Sequence, residues 1–204
     1  MIGTADFETT TDPNDCRVWA WAICEIGNID NIIFNNTIDT FMDYILNAAP
    51  ITLYFHNLKF DGGFILHYLF KNHFNFVADR KYLEKNSFTT LISDKGLFYS
   101  IEICCGASAN GKKRKIIRIL DSLKLINDSV ENIAKTFDAP TNKLKINYKD
   151  FREPGHKLTA EEIAYLRGDV VIMAHALNTL FTQNLNKMTA GSNALNDYKN
   201  IIGK

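Results

Sequence analysis

Residues 5–11 read ADFETTT, and they set two carboxylates one residue apart in what otherwise looks like a buried strand. In an extended backbone, residues i and i+2 share a face, so Asp6 and Glu8 project together while Phe7 turns to the other side. Like charges held side by side repel, and a strand gains no stability from them. A divalent cation removes the objection, because Mg2+ and Mn2+ prefer hard oxygen ligands. A solvated acidic strand end would also account for the triplet, and the triplet alone favours that reading.

The chain around this strand predicts a mixed sheet with helices packed on it, as a single domain over residues 1–204. CRVWAWAICEIG (16–27) and NIIFN (31–35) read as strands, and TFMDYILNAA (40–49) has helical apolar spacing that ends before Pro50. ITLYFHN (51–57) is a further strand, followed by a helix expected to begin near Asp61. FTTLISD (88–94), LFYSIEICC (97–105) and RKIIRILDS (114–122) resemble antiparallel strands joined by polar turns, one of them the basic stretch SANGKKRK (108–115). SVENIAKTF (129–137) reads as a helix. Residues 159–188 read as one long helical stretch, with Thr159 and Glu162 spaced for a capping box and Gly168 as its weak point.

Composition excludes little but narrows the rest. With 204 residues, 46% of them hydrophobic, there is ample chain for a real core. The 23 basic residues balance 23 acidic ones, so nucleic-acid binding would have to rest on local patches. The apolar runs are strand-sized, which predicts no membrane span, and the early core strand leaves no room for a signal peptide. Cys16, Cys24, Cys104 and Cys105 have neither C-x-x-C nor zinc spacing and read as reduced thiols.

Two further acids stand in suggestive surroundings. Asn57 and Asp61 lie four apart at a strand–helix junction, and Tyr165 and Asp169 lie four apart on one helix face. Asp61 could serve only as a helix N-terminal charge. Asp169, ahead of the apolar run VVIMA, is harder to explain away, because burying an unpaired carboxylate is costly.

Taken together, Asp6-x-Glu8, Asn57-x3-Asp61 and Tyr165-x3-Asp169 resemble the three exonuclease motifs of the DEDD proofreading superfamily. The tyrosine marks its tyrosine subclass; the histidine subclass would carry a histidine where this chain has Ala164. DFETTT, CRVWAWA, LYFHNLKFDGGFI, DSLK and MTAGS are similar to the 3′–5′ exonuclease domain of protein-primed family B DNA polymerases of the phage phi-29 type, from about Gly3 to the C-terminus. The resemblance implies a ribonuclease-H-like α/β fold and a two-metal exonuclease (Mg2+ or Mn2+) that hydrolyses single-stranded DNA from its 3′ end. It implies metal ligands at Asp6, Glu8, Asp61 and Asp169, a water-orienting Tyr165, and a catalytic lysine at Lys143, with Lys145 as its competitor within KLK. Thr9, Tyr54, His56, Asn57, Phe60, Ser122, Leu123 and Tyr148 fall where the family holds the DNA 3′ end, although Tyr54 also suits a plain core position.

The resemblance further implies a monomer in the cytoplasm, that of a bacterial host if the protein is phage-encoded. A polymerase core or terminal protein is the implied partner if the chain is an excised domain. The family's palm motifs, resembling SLYP and DTD, are not found in the chain, so nucleotide incorporation is not expected from it. A non-catalytic single-strand- or replication-partner-binding module and an RNA 3′-exonuclease stay open as alternatives. The basic stretch GKKRKIIR (111–118) fits a solvated turn or a DNA-backbone contact equally well, and the five histidines show no metal spacing.

Overall fold

The computed structural model describes residues 1–107 and 114–203. Residues 111–113 of the basic stretch, a candidate DNA contact, lie outside the described residues. One mixed sheet of eight strands runs in the order β3-β2-β1-β4-β8-β7-β6-β5. Its strands are β1 (Ile2–Thr9), β2 (Val18–Glu25), β3 (Asn28–Asn35), β4 (Ile51–Phe55), β5 (Asn75–Phe76), β6 (Ser87–Ile92), β7 (Phe98–Ala107) and β8 (Arg114–Asp121). The central strands β1, β4 and β8 are mutually parallel, β1-β2-β3 and β8-β7-β6 are antiparallel, and the short edge strand β5 runs parallel to β6. The helices are α1 (Ile38–Ala48), α2 (Leu58–Lys71), α3 (Val130–Thr136), α4 (Ala160–Thr182) and α5 (Ala190–Ile201). This is the α/β class expected from the sequence.

The pleat of β1 sorts its residues as the sequence predicts. The Phe7 ring enters the core under α1 and α2, edge-on to Phe41 at 4.7 Å and to Phe55 at 5.0 Å. On the other face the Thr4 hydroxyl donates to the Val170 carbonyl of α4 at 2.7 Å, so Asp6 and Glu8 look toward that helix. α4 is buried along Leu166, Val170, Val171 and Ala174 against Trp19, Ala20, Ala22 and Cys24 of β2. α3 packs on its flank through Ile133 and Ala134. The β1–β2 register shifts between Glu8 and Thr9, where Glu8 faces Ala20 and Thr9 faces Val18. Trp19 is therefore the extra residue of a bulge, and both Trp19 and Ala20 join the α4 side.

Two helix boundaries differ from the sequence expectation, and one helix was not expected. α2 begins at Leu58 rather than near Asp61, because Asn57 takes a left-handed conformation (φ 73°) and turns β4 straight into the helix. The Asp121 carboxylate fixes that turn by accepting the N–H groups of Asn57 at 3.1 Å and Leu58 at 3.2 Å. The capping box at Thr159 and Glu162 forms, but α4 stops at Thr182; Gln183 caps it and Asn184 turns left-handed (φ 63°). The chain then starts the separate helix α5 from a Thr189 cap, in residues to which the sequence reading assigns no element. Gly62 lets α2 settle on β7, since a Cβ there would stand 3.2 Å from the Phe98 ring.

Candidate active site

β1, β4 and β8 run parallel, and β1 together with the residues just beyond the carboxyl end of β4 lines a cavity of about 480 Å3. This is where open α/β sheets place their ligand sites. Asp6 and Glu8 enter from β1, His56 and Asn57 from the end of β4, Phe60 and Asp61 from α2, and Tyr165 and Asp169 from α4. Lys143 and Tyr148 arrive from the irregular segment ahead of α4, and Thr9 closes the rim. Oxygens of Asp6, Glu8 and Asp169 lie within 4.8 Å of one another. Asp61 lines the same cavity without belonging to that tight group.

Burial and mutual repulsion hold these acids above the ordinary carboxylate range. Burial, with the charge of Asp169, raises the Asp6 carboxyl to about 7, against the pull of Lys143. Burial, then Asp6 and Asp169, raises Glu8 to about 9. Asp61 is pushed well above the carboxylate range, chiefly by burial and then by Asp6; burial also raises Asp169, although Lys143 opposes it. Among the described residues, Asp61 Oδ1 and Asp169 Oδ1 are buried with no hydrogen-bond partner. Buried carboxylate oxygens left without donors are costly, and a divalent cation supplies what they lack. The donor set is all oxygen and fits Mg2+ or Mn2+.

Lys143, not Lys145, reaches the acids. Its Nζ stands 2.6 Å from Asp169 Oδ2 and 3.4 Å from the Tyr165 hydroxyl. Burial lowers its ammonium, but the charge and hydrogen bond of Asp169 outweigh this and leave it raised. Tyr165, 2% exposed, shares a hydrogen bond with the Tyr148 hydroxyl. Burial and the charges of Glu8 and Asp169 raise its phenol, so it stays protonated.

Phe60 stands 54% exposed at the mouth, its ring 5.9 Å from Phe64. His56 is tied by Nε2 to the Asp128 carbonyl (2.7 Å), and burial lowers its pKa. Three predicted DNA-binding residues are not brought to the cavity. The Ser122 hydroxyl is buried between the Phe55 carbonyl (3.0 Å) and His56 Nδ1 (3.1 Å), where it supports the histidine. Tyr54 alternates with the inward-facing Leu53 and Phe55 and so packs on Phe181 of α4 at 5.6 Å. Leu123 is half-buried outside the lining, its N–H donating to Asp121 Oδ1 at 3.1 Å. Sequence reasoning missed Thr4, Thr11, Val130 and Met173 in the lining, none of which carries a local signal.

The family of type B DNA polymerases, organellar and viral, matches residues 42–155. This chain belongs to it. Among the type B polymerases, the chain is 44% identical to a DNA polymerase of Bacillus phage B103 and 43% identical to that of Bacillus phage phi29, in each case over 199 residues and 98% of its length. It spans 34% of the length of these curated relatives. The solved phi29 DNA polymerase complexed with single-stranded DNA superposes with a TM-score of 0.92 at 41% identity, over 98% of this chain and 35% of that one. A ternary phi29 complex with primer-template DNA and incoming nucleotide gives 0.91. No helix among the described residues is long and apolar enough to cross a membrane.

Proposed function

We propose that the chain forms a single 3′–5′ exonuclease domain that removes nucleotides from the 3′ end of single-stranded DNA, as a proofreading unit does. The observation that carries this is the convergence of Asp6, Glu8 and Asp169 within 4.8 Å, in one cavity with Asp61, Lys143 and Tyr165. A solved relative described as complexed with single-stranded DNA supports the choice of polymer.

Asp6, Glu8, Asp61 and Asp169 would hold two divalent ions. When bound, these supply positive charge to the scissile phosphate and acidify water beside it. The chain's own groups do the rest. The Tyr165 hydroxyl, held by Tyr148, orients the attacking water along one line. Lys143 Nζ offsets the charge that grows on the phosphate oxygens. Asn57 and Phe60 precede Asp61 within one helical turn, so the groups that would hold the terminal bases are tied to a metal ligand.

Lys143→Ala and Tyr165→Phe should each lower kcat by about 10²-fold with little change in strand binding, whereas Lys145→Ala, outside the cavity, should stay within about twofold of wild type. Single-turnover rates with Mn2+ check this, and a neutral Lys143→Ala beside a severe Lys145→Ala would reverse the assignment.

Polarity and strand preference test the reading as a whole. On 5′-labelled oligonucleotides the products should shorten from the 3′ end, stop at a blocked 3′ terminus, and form more slowly from blunt duplex. Base–aromatic stacking is worth roughly 1–3 kcal/mol, so Phe60→Ala should weaken single-strand capture more than it slows the chemical step. Cleavage past a blocked 3′ end would defeat the exonuclease reading. Faster cleavage of RNA would move the substrate to RNA, and binding without hydrolysis would leave a non-catalytic module.

A further inference from the structure

Residues 138–159 carry Lys143 and Tyr148 into the cavity, yet this stretch contains no helix or strand. Irregular chain of that length keeps a fixed place only where side chains hold it. Here the holding residue is Arg152, 5% exposed. Its Nη1 donates to the carbonyls of Asn147 (3.3 Å) and Asp150 (3.0 Å), which lie on either side of Tyr148. Its Nε donates to Glu162 Oε1 at 2.7 Å, one turn before Tyr165 on α4. The guanidinium lies over the Trp19 ring at 4.0 Å, and Trp19 is the residue that the bulge opposite Glu8 turns to this side. Arg17 donates to the Arg152 carbonyl, and the second Glu162 oxygen takes His156 Nε2 (2.8 Å) and the Thr159 N–H (3.0 Å).

We propose that Arg152, seated on Trp19 and paired to Glu162, is a positioning residue that fixes the backbone around Tyr148 relative to α4 and so presents the Tyr148 hydroxyl to Tyr165. The inference rests on the nuclease reading for its catalytic consequence, but its structural half stands apart from it. The carboxylate is served from Nε and the two carbonyls from Nη1, separate nitrogens of one rigid plane; an ammonium, with its donors on a single nitrogen, keeps the charge beside Glu162 and loses the bridge. Phe60 and Asn57 are carried by α2 and its cap, and the bridge does not touch them.

The test is Arg152→Lys in the whole chain, read in two ways. Amide hydrogen exchange should rise by about tenfold over residues 147–150 and stay unchanged along α4. On a 5′-labelled single-stranded oligonucleotide with Mn2+, kcat should fall about tenfold while KM moves less than about threefold. In a Tyr148→Phe background the same substitution should cost less than about twofold, because the group it positions is already gone. Equal losses in both backgrounds, or unchanged exchange over 147–150, would overturn the proposal. If Arg152→Lys fails to fold, Glu162→Gln, which keeps an acceptor for Nε, is read in the same way. Failure of both to fold would overturn the positioning role and leave Arg152 a structural residue. A wild-type chain without hydrolysis would defeat the nuclease reading, and the exchange measurement would then decide on Arg152 alone.

Discussion

Alanine at Asp169 is expected to lower hydrolysis by about 10³-fold or more, and Asp6→Ala, Asp61→Ala and Glu8→Gln should do the same, as should chelator with the intact protein. These acids differ from ordinary surface carboxylates in being crowded and buried, two of them with an oxygen that no donor among the described residues reaches. The same crowding gives the substitutions a second signature. Burial and the neighbouring acids raise Glu8 to about 9, so ionising it without a cation costs folding free energy. Glu8→Gln should therefore hold or raise the melting temperature in chelator, while losing much of the stabilisation that Mg2+ or Mn2+ gives wild type. Differential scanning calorimetry with and without metal reads both effects, independently of any nuclease assay. Full hydrolysis by Asp169→Ala, or equal stabilisation of Glu8→Gln and wild type by metal, would remove these residues from the site.

Glu162→Ala should be the most destabilising single change outside the apolar core, by about 3–5 kcal/mol, because it strands the buried Arg152 guanidinium. The same pair gives a pH dependence of known sign. Burial alone would raise the Glu162 carboxyl, but the Thr159 N–H, His156 and Arg152 outweigh it and bring it from 4.5 down to about 2. A folded-state pKa below the unfolded one adds stability in full above the unfolded value. That stability is lost as pH falls through the window from about 4.5 to about 2. In urea unfolding across that window, the wild-type margin over Glu162→Gln should shrink steadily and vanish near its lower end. A margin that stays constant would show that Glu162 is not held ionised by these partners.

What could be read from the sequence followed distance along the chain. Asp6 and Glu8 were legible because a strand has period two, and Tyr165 and Asp169 because a helix brings i and i+4 together. Lys143 was separable from Lys145 only by resemblance until the fold set its Nζ beside Asp169. Asp121 stood out only as the first residue of DSLK, and Arg152 gave no local sign at all. Asp121 matters because β8 pairs with β4 and so lies beside the Asn57 turn, and Arg152 because a bulge in β2 turns Trp19 beneath it. The end of α4 was misplaced for the opposite reason: apolar residues continue past Thr182 at helical spacing, and only the left-handed Asn184 breaks them.

The seat of Phe7 between Phe41 and Phe55 has a consequence for how mutations in this chain should be interpreted. A slip of β1 by one residue would turn Asp6 and Glu8 into the apolar layer and Phe7 out of it, and the aromatic seat is what forbids this. The proposed hydrolysis and a well-filled interior therefore depend on the same three consecutive residues. A genetic screen for lost activity should recover smaller residues at Phe7 alongside the acid variants, although the ring itself lies on the far side of the strand from the chemistry.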